Sequence, residues 1–509
     1  PFEPTSAFYG GLSPSHRPAC GGKPVSSYDF QRCAKHILKT GQSVLIIAPT
    51  GLGKTRAALQ PFIQTLNGNS LFERLLGTRL IYTLPLRALA RGVEEELQGL
   101  NASLQPVVHH GDEPESQFFS ERCIITTIDQ YLTAFAGAPL SWASHLSHAA
   151  AGAVLTSYSV FDEVHLLSAQ KGLPLLFAML YLRKRWGLLS CVMTATLPPS
   201  VINFLQEYCG LVKIEASDSD IQQRDGWRKV SLELVGSRHQ GSSFSWDEKN
   251  ETTLAEFVQE KWEQWSRLDV DGPQKIIVFV NTVDRAVKVY EKLRQKSLTP
   301  APKVLLAHSR FTQDDRRLVE NALQRYFGKQ SSQEPAILVT TQVAEAGLNI
   351  SAPLVITELC PMDSLIQRAG RCQRFKPNAG QQMRGKILVV KPSGSQHENE
   401  RWYIPYRDTV RLLPEGVKSS QREKSVPAIE LTRLTLEREV HDLPLNLDWA
   451  KEQDLIQKSL DRLYGAYLSG TTDLEFQSGQ EPFQSLYNLY KKKEAEEGEE
   501  FPEPEEEAE

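Results

Sequence analysis

The chain has little of what would mark a disulfide-built or membrane protein. Its seven cysteines (Cys20, Cys33, Cys123, Cys191, Cys209, Cys360 and Cys372) are scattered over 509 residues without a C-x-x-C pair. That argues against a disulfide framework or a zinc ribbon and for free thiols in a reducing compartment, with Cys372 a filler. No apolar run approaches the ~20 residues of a membrane span. The first residues also lack the basic-then-apolar form of a secretory leader. A cytoplasmic protein with no membrane partner is expected. Net positive charge is missing too, at −5 overall, but the deficit is local. Residues 494–509 hold ten glutamates and no base, so the preceding 493 residues carry +5. A mildly basic body suits a nucleic-acid partner. The like-charged tail reads as disordered.

At this length a single core is excluded and two or three domains are expected. After an irregular Pro-, Gly- and Ser-rich lead-in, a helix is predicted to start near Ser27 and to run through Phe30, Cys33, Ala34 and Ile37. Short apolar runs then alternate with helical ones: Val44–Ile47, Leu80–Leu84, Cys123–Thr126, Ser159–Phe161 and Cys191–Met193. Such alternation predicts a parallel sheet covered on both faces, an α/β domain over residues 1–215. A polar stretch follows, with a strand-like Lys229–Val235 inside it. The runs Lys275–Val280, Val304–Ala307, Ala336–Val339, Leu354–Thr357 and Lys386–Val390 then predict a second α/β domain over 216–395. Residues 396–493 read as a mostly helical or irregular accessory region, and 494–509 as the acidic tail.

The chemistry starts at Ala48–Thr55, APTGLGKT, directly behind the first strand. Gly51 and Gly53 let backbone wrap phosphates, with Thr50 beside them; Lys54 neutralises the β- and γ-phosphates and the Thr55 hydroxyl ligates Mg²⁺. A following helix aims its N–H groups at the anion. Ala48 stands where the general pattern has Gly. ATP and Mg²⁺ are the expected cofactors. In Asp162-Glu163-Val164-His165 the aspartate is placed to hold Mg²⁺ and Glu163 to orient and deprotonate water. His165, with Thr194 and Thr196 of Thr194-Ala195-Thr196, is expected to bridge that pair to the rest of its domain. In QRAGRCQR, Arg368, Arg371 and Arg374 recur every three residues beside Gln367, one helical face able to reach across a cleft. Arg371 and Arg374 are taken as the fingers and Arg368 as structural. Gln31, upstream of the loop, is placed to read the adenine edge.

A nucleic-acid grip is expected just past strand ends: Pro85 and Arg87, Thr126 and Thr127, Asn281 and Thr282, Ser309 and Arg310, Thr340 and Thr341. Hydroxyls, loop N–H groups and scattered arginines hold phosphates without reading bases. No aromatic cluster for stacking bases is evident.

Together APTGLGKT, DEVH, TAT and QRAGRCQR resemble motifs I, II, III and VI of superfamily-2 helicases over about residues 28–392. Within that superfamily the chain is most similar to the CRISPR-associated helicases of type I interference, through YTLPLRALA, ITTIDQ, HSRF, TTQVAEAGLNI and ITELCPMDSLIQRAGRCQR. The resemblance implies two tandem RecA-like domains and Gly347 and Asn349 at the nucleotide. It further implies a motor, monomeric as such, that loads on single-stranded DNA displaced by a guide-RNA effector complex and moves 3′ to 5′. Two departures stand out. Only 47 residues precede Ala48, with no His-Asp pair, and His441-Asp442 lacks companion histidines, so a helicase-only form with its HD nuclease on a separate subunit is expected. Asn349 and Ser351 stand where the family prefers Asp. The competing readings are a DEVH RNA helicase of RNA processing and an ATP-switched recruitment clamp that does not unwind.

Overall fold

The computed structural model describes residues 28–461 and Tyr464, apart from 67, 69–74, 86, 88–89, 112, 115–118, 138–146, 168–171, 236–249, 346–347, 378–380, 391–410, 413–425 and 441–443. The lead-in, the acidic tail, much of the accessory region, the His441-Asp442 dipeptide and Gly347 therefore lie outside the described residues.

The strands in chain order are β1 Val44–Ile47, β2 Leu80–Leu84, β3 Val107–His110, β4 Glu113–Pro114, β5 Cys123–Thr127, β6 Tyr158–Phe161, β7 Ser190–Thr194 and β8 Val212–Glu215. They form one sheet in the order β4-β3-β5-β2-β6-β7-β1-β8, parallel except for the β3–β4 pair. Next come β9 Arg228–Val235, β10 Lys275–Phe279, β11 Lys303–Ala307, β12 Ala336–Thr340, β13 Leu354–Glu358 and β14 Met383–Val390, then the ribbon of β15 Arg411–Leu412 and β16 Val426–Pro427, and finally β17 Leu445–Asn446. The second sheet runs β11-β12-β10-β13-β14-β9-β17. These are the two predicted parallel-sheet α/β domains. The runs read as strands all form; β3, β4 and β8, at the edges of the first sheet, were not anticipated. β17 extends the second sheet beyond residue 395 by pairing antiparallel with β9.

The central strands are buried on both faces, as continuous apolar runs require. In the first sheet Val44 and Ile46 pack with Leu80, Val160, Cys191 and Met193 on one face. Leu45 and Ile47 join Ile81, Phe161 and Val192 on the other. That second cluster continues without a break into Ile277, Phe279, Leu338, Val355 and Ile387 of the second sheet, by way of Leu436, Leu455 and Leu460 of the C-terminal helices. The apolar seam sets the two domains against each other, with the C-terminal ends of β1 and β6 facing the second domain. In open parallel sheets this is where ligands bind.

Candidate active site

The loop after β1 is shaped by its glycines. Gly51 and Gly53 lie at φ +86° and +80°, a region costly for other residues, and a Cβ on Gly53 would come within 2.9 Å of Gln31 Nε2. Gln31 is buried beneath the loop and donates to the carbonyls of Gly53 (3.1 Å) and Leu52 (3.4 Å). It thus buttresses the phosphate loop, whatever it does at the adenine. The helix Lys54–Leu66 starts inside the motif, so its first N–H groups face the loop. Lys54 is buried, with Nζ donating to the Ala48 carbonyl at 3.2 Å.

At the end of β6, Asp162 and Glu163 come under the loop. Asp162 Oδ2 accepts from the Tyr82 hydroxyl at 2.6 Å and Oδ1 from the Glu163 N–H at 2.9 Å. Burial and the adjacent Glu163 raise the Asp162 carboxyl. Burial raises Glu163 as well, but Lys54, His165, Arg371 and Arg374 outweigh it and hold that carboxyl below its usual range. Glu163 itself sits in the left-handed region at φ +49°, a conformation tolerated where the surrounding structure fixes it. Its Oε2 is buried and accepts no aligned hydrogen bond among the described residues, although His165 Nδ1 lies 3.4 Å away. An anionic carboxylate with a spare buried oxygen is suited to a water molecule. His165 Nδ1 shares a hydrogen bond with Thr194 Oγ1 at 3.2 Å, and that oxygen also accepts from the Thr196 N–H at 3.2 Å. Burial pushes the imidazole down to about 4, so it is neutral at physiological pH.

The residues present fit Mg²⁺. A half-buried carboxylate at Asp162 and the buried Thr55 hydroxyl are hard oxygen donors. Glu96, on the helix Ala90–Leu100 and unremarked in the sequence, also directs its carboxyl at the Thr55 hydroxyl. No cluster of three or more acidic, His or Cys ligands stands among the described residues. That agrees with a cation bound by one or two protein groups and completed by phosphate and water.

The second domain brings its arginines to the same place. Gly370 approaches Thr50 so closely that a Cβ would lie 3.1 Å from the threonine hydroxyl. Gln367 Nε2 reaches Thr196 Oγ1 at 3.5 Å. Arg368 is fully buried and bonds to Glu345, Thr357 and Asn281 at 2.7, 2.7 and 3.0 Å, which makes it a core strut. Arg371 donates to the carbonyls of Ala344, Leu348 and Glu345. Arg374 is anchored differently, by Nε to Asn349 Oδ1 at 3.0 Å and by its N–H to Ser351 Oγ at 3.0 Å. Both departures from the family pattern therefore converge on Arg374. Cys372 is fully buried and its thiol is pushed up to about 12, as a filler's would be.

At the strand ends, Arg87, Ser309 and Arg310 are exposed, with Arg310 paired to Asp284 at 2.6 Å, and Pro85 and Thr282 are half-buried. Thr126, Thr127, Asn281, Thr340 and Thr341 are buried. Thr126 and Thr340 donate to the carbonyls of His109 and Ala307, and the Asn281 amide spans Leu359 and Arg368. These side chains shape the strand ends, which leaves any phosphate contact there to backbone N–H groups. A stacked pair, His308 over Phe311 at 4.0 Å, adds aromatic surface that spacing alone had not revealed.

Sequence reading also missed Gln453 and Glu452 on the helix Trp449–Ile456. Gln453 Nε2 donates to the carbonyl of Ala195, inside Thr194-Ala195-Thr196, at 3.2 Å. Its neighbour Glu452 is held by Arg224 and Arg228 of the second domain. Nothing in the local sequence signals a contact made across more than 250 residues.

The comparisons with known proteins agree with this geometry. Residues 28–204 match the DEAD/DEAH box helicase model, and residues 272–377 match that of the CRISPR-associated nuclease/helicase Cas3, C-terminal. The Thermus thermophilus CRISPR-associated endonuclease/helicase Cas3 is 28% identical over 468 residues, covering 75% of this chain and 48% of the relative. The Escherichia coli protein of the same description is 26% identical over 373 residues, covering 65% and 40%. The chain thus spans about half the length of the curated relatives it matches. Among solved structures, T. fusca Cas3 superposes with a TM-score of 0.61 at 20% identity, over 92% of this chain and 55% of that one. The first domain thus matches the DEAD/DEAH box helicases and the second the C-terminal part of Cas3, and the chain as a whole is similar to the Cas3 helicases of CRISPR systems.

Proposed function

We propose that the chain is a single-stranded DNA translocase and helicase that travels 3′ to 5′ in type I CRISPR interference. It would be recruited by a guide-RNA effector complex and deliver unwound strand to a nuclease carried outside the described residues. The observation that carries the motor reading is that QRAGRCQR of one domain sits against the hydrolytic motifs of the other, with a Gly370 Cβ position 3.1 Å from the Thr50 hydroxyl and Gln367 Nε2 3.5 Å from Thr196 Oγ1, so that Arg371 and Arg374 bear on Glu163. A hydrolytic site split in this way turns over only when the cleft is closed, which ties ATP to domain movement. The relatives' names, pairing nuclease with helicase, support a cutting partner. A structure described as a CRISPR RNA-guided surveillance complex, pre-nicking, superposes at TM-score 0.57 and supports the effector partner. DNA as substrate and the direction of travel rest on the family resemblance.

In this mechanism Lys54 and the loop N–H groups hold the phosphates. Glu163, kept anionic by four surrounding cationic or polar groups, orients water and takes its proton. Arg374 and Arg371 stabilise charge on the transferring phosphoryl group. When bound, Mg²⁺ neutralises phosphate charge, with Thr55 and Asp162 as its protein donors. His165, Thr194, Thr196 and Gln367 transmit closure between the two halves.

Lys54→Ala and Glu163→Gln are each expected to abolish strand-stimulated ATPase; turnover surviving in both variants would overturn the assignment. Stimulation by single-stranded DNA against RNA tests the substrate. Displacement from 3′-tailed but not 5′-tailed duplexes is the expected polarity. ATP turnover without displacement on either would favour the clamp.

A further inference from the structure

Tyr82 lies in the middle of β2, fully buried, and points its hydroxyl out of the apolar cluster at Asp162. At 2.6 Å the contact has the length of a hydroxyl donating to a charged carboxylate. The other carboxylate oxygen is taken by the Glu163 N–H. Asp162 is also fixed from behind, because its own N–H donates to the Thr83 carbonyl of β2 at 3.0 Å. One donor on each oxygen and a pinned backbone leave the carboxylate a single orientation. The Tyr82 hydroxyl also meets the side chain of Thr55, the other residue read as a metal donor.

β2 also leads directly into Pro85 and Arg87, at the face proposed to grip the nucleic-acid backbone.

We propose that Tyr82 is a positioning residue for ATP hydrolysis: its hydroxyl sets the Asp162 carboxylate for the metal that accompanies ATP and links that carboxylate to the strand that leads into Pro85. This rests on the reading that Asp162 holds the metal.

The test uses the full chain and three proteins: wild type, Tyr82→Phe and Asp162→Asn. Fluorescent ADP binding is titrated with Mn²⁺, and the bound Mn²⁺ is followed by paramagnetic resonance. Tyr82→Phe keeps the ring, so its melting temperature should stay close to wild type. Its Mn²⁺ midpoint should rise about tenfold, the usual cost of losing a partner that orients a metal ligand. Its ATPase should recover in part at high Mg²⁺, and its stimulation by nucleic acid should fall. A Tyr82→Phe midpoint equal to wild type, alongside a shifted Asp162→Asn midpoint, overturns the role of Tyr82 and leaves the metal reading standing. An unshifted Asp162→Asn midpoint overturns the metal reading itself, and the proposal with it. A shifted Tyr82→Phe midpoint accompanied by a collapsed melting temperature assigns the tyrosine to the core and also overturns the proposal.

Discussion

The two α/β domains share an architecture but treat their ionisable groups in opposite ways. In the first, the charged residues face the cleft and are incompletely satisfied: Glu163 Oε2 and His165 Nε2 are buried without a hydrogen-bond partner among the described residues. In the second, the cleft-side groups are locked into one another. Arg368 binds Glu345, Thr357 and Asn281, while Glu358 takes Arg285 and the Asn281 N–H. The first domain carries reactive groups, and the second is a rigid carrier for arginines. Unsatisfied polarity is costly in a core; Ser332 Oγ and Asp363 Oδ1 of the second domain share it, but at Glu163 and His165 two such atoms meet within the carboxylate motif, which marks where chemistry, rather than packing, governs the sequence.

The largest effect that would test this contrast is expected at Arg374. It is fixed through Asn349 and Ser351 and bears on Glu163, yet it lies outside the Arg368 network. Arg374→Ala should lower kcat by about 10³-fold, as the loss of an arginine finger does, with little change in the urea midpoint. A kcat within tenfold of wild type, roughly the scale of a peripheral contact rather than a finger, would move the finger role to Arg371. Arg368→Ala should behave in the reverse manner. Removing it strands buried Glu345, so destabilisation of about 3–5 kcal/mol is expected, measured on the unfolding transition of the second domain. An unchanged midpoint would show that the second domain is less locked than its bonds imply.

The contrast also predicts different responses to acid. His165 has its folded value pushed down to about 4 by burial, against an ordinary 6.5. As pH falls below the ordinary value, the unfolded chain binds a proton that the folded chain refuses. Stability from this group is therefore complete above pH 6.5 and is lost as pH falls toward 4. The loss at pH 5 is about 2 kcal/mol. Urea midpoints at pH 7 and pH 5 should separate by more in wild type than in His165→Gln; equal separations would remove His165 as the cause.

How much of this was legible follows from where each interaction lies in the chain. The strands of both sheets, the phosphate loop and the carboxylate pair were readable because each is a short contiguous pattern with its own physical cause. Arg368 was read as structural and is a core strut, but the shared helical face expected of Arg368, Arg371 and Arg374 does not form, because the helix Met362–Ala369 ends before Arg371. The second role of Gln31 was not readable, because a buttress under a loop is defined by the loop's path. Asn281, Thr126 and Thr340 were readable as strand-end positions, but not the inward turn of their side chains, which depends on carbonyls supplied by neighbouring strands. The edge strands β4 and β8, and β3 beside the first of them, escaped because strands at the margin of a sheet need less continuous apolar sequence than central ones. Gln453 left no trace, since its partner is a backbone carbonyl and any sequence provides one.

That last contact makes the smallest prediction and the sharpest probe of how the two domains communicate. Gln453 reaches the Ala195 carbonyl, with Thr194 on one side bonded to His165 and Thr196 on the other reached by Gln367. Its helix is fastened to the second domain by Glu452 between Arg224 and Arg228. The same C-terminal segment caps the helix Pro199–Glu207 through Asp461 and the Ser200 N–H at 2.7 Å. The C-terminal helix thus touches the element that joins hydrolysis to closure while riding on the opposite domain. Gln453→Ala removes one neutral hydrogen bond and should cost about 1 kcal/mol or less in stability. ATPase should remain near wild type while strand displaced per ATP falls, because closure would no longer be registered through Ala195. Equal loss of both activities would reduce the contact to packing, and no change in either would show that the two domains are coupled through Gln367 alone.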